Sequence, residues 1–261
     1  MTALRRYAKR LMRVVRRLPP EQPSDTDSLY GFPWQTDVTD IEKQILRIAK
    51  PYTMTSQARL IYLVRVIEYL VRHRIPGDIV ECGVWRGGSM MAVAEALRQF
   101  GDTTRQLYLF DTFSGMTAPT EHDRKAHESL DVFGKWKSSL DQHGSNWCFA
   151  SQEDVMANMA TIAYPQKNIH FIKGPVEQTL PGFSCPPLAL LRLDTDWYES
   201  TKCELNLLYP KVVTSGVIIL DDYGSWDGAR LATDEFLAAL KAPVLLGRID
   251  ASARAWVKAA L

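Results

Sequence analysis

Asp78-Ile79-Val80-Glu81-Cys82-Gly83-Val84-Trp85-Arg86-Gly87-Gly88-Ser89 is the stretch that decides the fold. After the Pro76-Gly77 break, five residues of strand character run into a glycine turn, and a helix follows. Gly83 lets the backbone pass close to a ligand, and Gly87 and Gly88 start the helix without side-chain obstruction. The pattern is shorter than the Gly-x-Gly-x-x-Gly of dinucleotide binders and lacks the Walker lysine. A plain helix-capping turn at Gly87-Gly88 explains it too.

Downstream the alternation repeats. Leu107–Phe110, Ile169–Ile172, Leu188–Leu193 and Val213–Leu220 read as further strands, with helices between most of them, which means a parallel sheet covered on both faces. The last segment differs: Pro243–Arg248 and Arg254–Lys258, separated by Asp250-Ala251-Ser252, predict an antiparallel hairpin. A mostly parallel seven-stranded sheet closed by an antiparallel C-terminal hairpin is the Rossmann-like class I arrangement of methyltransferases that use S-adenosylmethionine. The second strand ends in Asp111, about 30 residues after the first, where an acid can accept hydrogen bonds from ribose hydroxyls. It can equally be an ordinary strand-end acid. The segment 112–166 is too long for a simple connection and reads as a partly helical lid.

Upstream, residues 40–50 look helical and stop at Pro51, and Ser56 caps a helix running to about His73. Before them, 1–24 is expected to form a separate arm and linker, leaving 25–261 as one domain of the methyltransferase-like arrangement. Leu4, Tyr7, Leu11, Val14, Val15 and Leu18 recur at helical spacing among seven arginines and lysines, with no acid before Glu21. Such a basic amphipathic helix suits packing on its own domain or a second subunit, or contact with an anionic membrane surface. Elsewhere the charges balance to +1 over 261 residues, and 46% of the chain is hydrophobic. Nucleic acid is not expected as a partner, because no aromatic-basic platform accompanies the arm. Four scattered cysteines and the lack of any apolar run of about 20 residues point to a reduced, cytoplasmic setting, with peripheral placement at the inner membrane face if the arm meets lipid.

Two strand ends carry paired carboxylates: Leu193-Asp194-Thr195-Asp196-Trp197 and Leu220-Asp221-Asp222-Tyr223. Four acids at the carboxyl ends of neighbouring strands repel one another, and a hard divalent cation such as magnesium, calcium or manganese is the simplest remedy. Asp194 and Asp196, two apart, face one side if the extended geometry persists. Capping of the helix that begins near Glu199 is the competing role for Asp196. Tyr198 and Tyr223 are either acceptor-site or core aromatics, and His170, in a strand, reads as structural.

These stretches, with Asp111-Thr112-Phe113-Ser114-Gly115-Met116, resemble the macrocin (TylF-type) O-methyltransferases from about Thr53 to the carboxyl terminus. The resemblance implies a magnesium-dependent enzyme that transfers methyl from S-adenosylmethionine to a sugar hydroxyl. Its acceptor would be a glycosylated natural product or a cell-surface glycan, and the enzyme is expected to be a homo-oligomer. By the same resemblance Asp194, Asp221 and Asp222 hold magnesium, with Asp196 as base. Glu81, Gly83, Val84, Ser89 and Asp111 line the cofactor site, with Arg86 and Ser114 as neighbours. Methylation of a catechol or other aromatic diol, and a non-catalytic scaffold that keeps the fold, are the alternatives.

Overall fold

Apolar runs without alternation must be covered on both faces, and that requirement puts the strands at the centre of the molecule. The computed structural model describes residues 34–142 and 144–260. The basic arm and His143 lie outside the described residues, and a compact unit begins at Val38. Its sheet is built from β1 (Asp78–Cys82), β2 (Leu107–Asp111), β3 (Ile169–Lys173), β4 (Leu188–Leu193), β5 (Val212–Leu220), β6 (Gly247–Arg248) and β7 (Arg254–Val257). The spatial order is β3-β2-β1-β4-β5-β7-β6. All neighbours through β5 are parallel, whereas β7 pairs antiparallel with both β5 and β6. This is the Rossmann-like class I methyltransferase fold. Strand order reverses between β1 and β4, so the ligand crevice is expected beyond their carboxyl ends.

Helices flank the sheet as the pattern predicted. Helix α1 (Asp40–Ala49) starts at a capping box between Thr39 and Glu42. Helix α2 (Gln57–Arg72) is capped by Ser56, whose hydroxyl accepts from Arg59 N. Helix α3 (Gly88–Gln99) follows Gly87, which sits at φ 85°. The lid contains α4 (Val132–Ser138), a short hairpin pairing Leu140–Asp141 with Gly144–Ser145, and α5 (Gln152–Ala160). A single turn, α6 (Val176–Thr179), precedes β4, and α7 (Tyr198–Leu208) and α8 (Asp227–Ala239) complete the cover.

One expectation is shortened. Of Pro243–Arg248, only Gly247 and Arg248 form strand, because β7 inserts next to β5 and leaves this segment at the sheet's edge. Proline at its start and Leu245, 90% exposed, fit such an edge, where few ladder bonds form.

The β1 glycine turn has a packing reason. Gly83 sits at φ 82°, and a Cβ there would lie 2.1 Å from the carbonyl oxygen of Asp194. The absent side chain therefore lets the loop after β1 press against the loop after β4, at the switch point. We expect Gly83→Ala to cost about 2–4 kcal/mol, from backbone strain plus overpacking, read as a lower urea midpoint with an unchanged slope.

Candidate active site

Strand register builds the site. Leu193 pairs with Cys82 on one side and Leu220 on the other. The ladder continues one residue further, with Asp194 N donating to Cys82 O and Asp221 N to Leu193 O, each at 2.9 Å. Asp194, Asp221 and Asp222 each offer one carboxylate oxygen, and these atoms lie within 4.8 Å of one another.

A charge the apolar pattern conceals runs beneath them. Arg192 interrupts β4 and is 3% exposed. Its guanidinium donates to Glu81, to Asp194 Oδ2 at 2.7 Å, to Asp221 Oδ1 at 2.6 Å and to the Thr55 hydroxyl at 3.2 Å. Glu81 and Arg192 are cross-strand partners, and Asp194 lies two residues along the same face. The other oxygen of Asp221 accepts from Arg59 of α2, whose Nε also donates to Asp250 Oδ2 at 2.7 Å.

Two guanidinium groups do not balance Glu81, Asp194, Asp196, Asp221 and Asp222. Burial, then the charges of neighbouring acids, raises the pKa of Asp194 and Asp222 well above the usual carboxylate range. Asp196 is pushed up to about 7, chiefly by burial. Glu81 also rises to about 7 through burial, against the opposing pull of Arg192. Asp222 Oδ2 is buried without a hydrogen-bond partner. Excess negative charge and an unpartnered carboxylate oxygen are what a hard cation would relieve, so the three acids fit a divalent ion.

A cavity of about 510 Å³ runs from the glycine turn to the lid. Gly83, Val84, Ser89 and Asp111 line it, together with Asp194, Asp196, Asp221 and Asp222. Its many carboxylates suit a positively charged sulfonium.

The structure places the remaining predicted residues away from the cavity wall. Glu81 lies under the floor, paired to Arg192. Arg86 reaches outward to Asp154, at 2.9 and 3.2 Å, and over the Tyr52 ring. Ser114 is held in the lid, where its carbonyl accepts from Ser145 N. Asp111 lines the cavity with its hydrogen bonds committed to its own loops. Oδ2 accepts from Val84 N and Trp85 N at 2.8 and 3.0 Å, and Oδ1 from Phe113 N at 2.8 Å. It thereby clasps the loop after β1 to the loop after β2.

The capping role weighed for Asp196 belongs to another acid. Lid residue Asp123, 3% exposed, accepts from Tyr198 N at 2.7 Å and so caps α7, while its other oxygen holds Thr120 N. Asp196 is left facing the cavity at φ 69°, a left-handed conformation uncommon outside glycine. Neither tyrosine lines the cavity: Tyr198 bonds Glu235 and Tyr223 bonds Asp234. His170 is structural, bonded to Gln106 and stacked on Tyr108.

Sequence reasoning missed the lid wall. Trp147 and Trp226 line the cavity with their ring centroids 6.1 Å apart, and Trp197 packs behind them. Lys135 sits 3.9 Å from the Trp147 centroid and Lys125 4.6 Å from that of Trp226. The backbone bridge from Lys125 to Trp226 fixes this part of the lid beside the Asp221-Asp222 loop. Tryptophans spread over the lid and the loops after β4 and β5 gave no local spacing by which to group them.

The chain is similar to known proteins. A family model for macrocin O-methyltransferase (TylF) matches residues 41–258. The 8-demethyl-8-(2,3-dimethoxy-alpha-L-rhamnosyl)-tetracenomycin-C 4'-O-methyltransferase of Streptomyces olivaceus is 31% identical over 211 residues, 78% of this chain and 75% of that protein. Demethyldecarbamoylnovobiocin O-methyltransferase of Streptomyces niveus is 33% identical over 209 residues, 80% of this chain and 76% of its own. Among solved structures, the O-methyltransferase NovP superposes with a TM-score of 0.68 at 31% identity, covering 80% of this chain and 83% of that one.

Removing Arg192 would leave Glu81, Asp194 and Asp221 buried against one another. We expect Arg192→Met to destabilise the chain by about 3–5 kcal/mol, measured by urea unfolding without added metal. A loss under about 1 kcal/mol would show that the guanidinium does not bind the acids together.

Proposed function

The chain belongs to the macrocin O-methyltransferase (TylF) family, and from that premise we propose that this S-adenosylmethionine-dependent enzyme methylates a sugar hydroxyl of a glycosylated small molecule or glycan, with magnesium at its carboxylate cluster. The observation that carries the reading is the convergence of Asp194, Asp221 and Asp222 beside Asp196, at the switch point next to the glycine turn.

S-adenosylmethionine would be held along Gly83, Val84, Ser89 and Asp111, and when bound supplies an electrophilic methyl group. Magnesium would be held by Asp194, Asp221 and Asp222, and when bound supplies positive charge that makes a neighbouring sugar hydroxyl more acidic. The protein's own share is placement and proton removal. Asp196, its carboxylate on the cavity wall beside the metal set, takes the hydroxyl proton onto a carboxylate oxygen as the acceptor attacks. Asp123 caps α7 in its place, which leaves the Asp196 carboxylate to the cavity and to the acceptor's proton. Trp147 and Trp226 give flat apolar faces for a sugar ring or its aglycone. Asp123 locks the lid to α7, which keeps that wall in place and limits water at the reacting oxygen.

The relatives' names favour a glycoside over a catechol: they specify a dimethoxyrhamnosyl tetracenomycin and demethyldecarbamoylnovobiocin. Incubating the enzyme with methyl-tritiated S-adenosylmethionine, glycosides and catechols tests the assignment. Label should enter glycosides, and label in catechols alone would overturn it. We expect Asp196→Asn to lower kcat by about 10²–10⁴-fold with S-adenosylhomocysteine affinity unchanged by calorimetry. Asp221→Asn should abolish magnesium-dependent transfer and likewise leave cofactor binding largely intact. Full metal-independent activity in the Asp221 variant would contradict the metal role.

A further inference from the structure

The two guanidinium groups at the carboxylate cluster differ in how firmly they are held. Arg192 is enclosed, and moving it would strand Glu81, itself 1% exposed. Arg59 lines the cavity with a side chain 21% exposed, and it already has a second carboxylate. That second acid, Asp250, is fixed independently of Arg59. Its Oδ2 also accepts from the Ser56 hydroxyl at 2.7 Å, and its Oδ1 from Ser252 N and Ala253 N at 2.8 Å. The same turn grips the metal-set loop, since Ser252 Oγ donates to Asp221 O at 2.7 Å and Gly224 N to Ser252 O at 2.8 Å.

We propose that Arg59 is the resident counter-cation of the carboxylate cluster, a positioning residue that holds Asp221 before the divalent ion arrives and sets the site's affinity by opposing that ion. The inference rests on the reading of Asp194, Asp221 and Asp222 as a divalent cation site. Asp221 has both oxygens engaged, one by Arg192 and one by Arg59. An incoming ion must share or replace one of these donors. Arg192 cannot yield without uncovering Glu81, so Arg59 is the donor that gives way, and Asp250 is where its charge stays satisfied. Oδ2 of Asp221, once Arg59 leaves it, is free for the ion while Oδ1 keeps Arg192. Asp250 belongs to the β6–β7 turn, so this turn takes part in the site without lining the cavity.

The test is isothermal titration of manganese chloride into the full-length chain with S-adenosylhomocysteine present. Arg59→Gln removes a positive charge next to the ion and should lower the Kd for manganese by about tenfold or more, while the melting temperature of the metal-free protein falls. Asp250→Asn removes a nearby negative charge and leaves Arg59 to Asp221 alone, so its Kd should rise. Opposite signs separate this role from structural damage, which would weaken both. If the wild type binds manganese and Arg59→Gln binds it no more tightly, the inference fails and the metal reading stands. Should neither protein take up manganese, the metal reading fails as well. If Arg59→Gln does not fold, Arg59→Met, which removes the charge but keeps much of the aliphatic stem, takes its place in the titration, and a Kd no lower than the wild type's overturns the proposal.

Discussion

A single buried guanidinium organises this protein's functional end. Arg192 stands inside a strand that is otherwise apolar and fully buried, where an unpaired charge would be prohibitively costly. It is tolerable because Glu81 lies opposite on β1, Asp194 two residues along and Asp221 just past the end of β5. Those acids in turn need Arg192, so three strands are tied at their carboxyl ends by one fork-shaped donor set. The register that apolar packing selects is also the register that assembles the carboxylates. Fold stability and site geometry here rest on the same contacts.

Two further constraints bring the rest into place. Gly83 lets the β1 loop meet the β4 loop backbone to backbone, which closes the switch point around the cluster. Asp123 caps α7 from the lid, which joins a long insertion to the helix following Asp194 and Asp196. Gly228 leaves room for that cap, since a Cβ there would lie 2.0 Å from Asp123 Oδ1. Acids that sit two residues apart in the sequence are thereby separated: Asp194 joins Arg192 and the carboxylate cluster, and Asp196 is left to the cavity.

Much of this was legible before the fold was known. Strand–helix alternation with a closing hairpin gave the sheet, because period and turn chemistry are local properties. The acids were visible as pairs because strand ends put them there. What the sequence hid depends on contacts between distant segments. Arg192 passes for one polar residue in an apolar run until Glu81 is set beside it. That Asp111 also accepts from Val84 N, Trp85 N and Phe113 N, and so clasps two loops while lining the cavity, is a second duty no local pattern announces. The cap on α7 comes from 75 residues upstream, so the Asp196 alternative could be resolved only in three dimensions. Arg86 belongs to a glycine motif, yet its ion pair with Asp154 takes it away from the cavity.

Asp194, Asp221 and Asp222, braced by arginine, are proposed to hold a divalent ion next to the cofactor crevice. Anomalous diffraction from crystals grown with manganese and S-adenosylhomocysteine tests it most directly. One strong manganese peak is expected within bonding distance of all three carboxylates, with Asp196 facing the same cavity. A map in which manganese lies elsewhere while these three acids contact only Arg59 and Arg192 would contradict it.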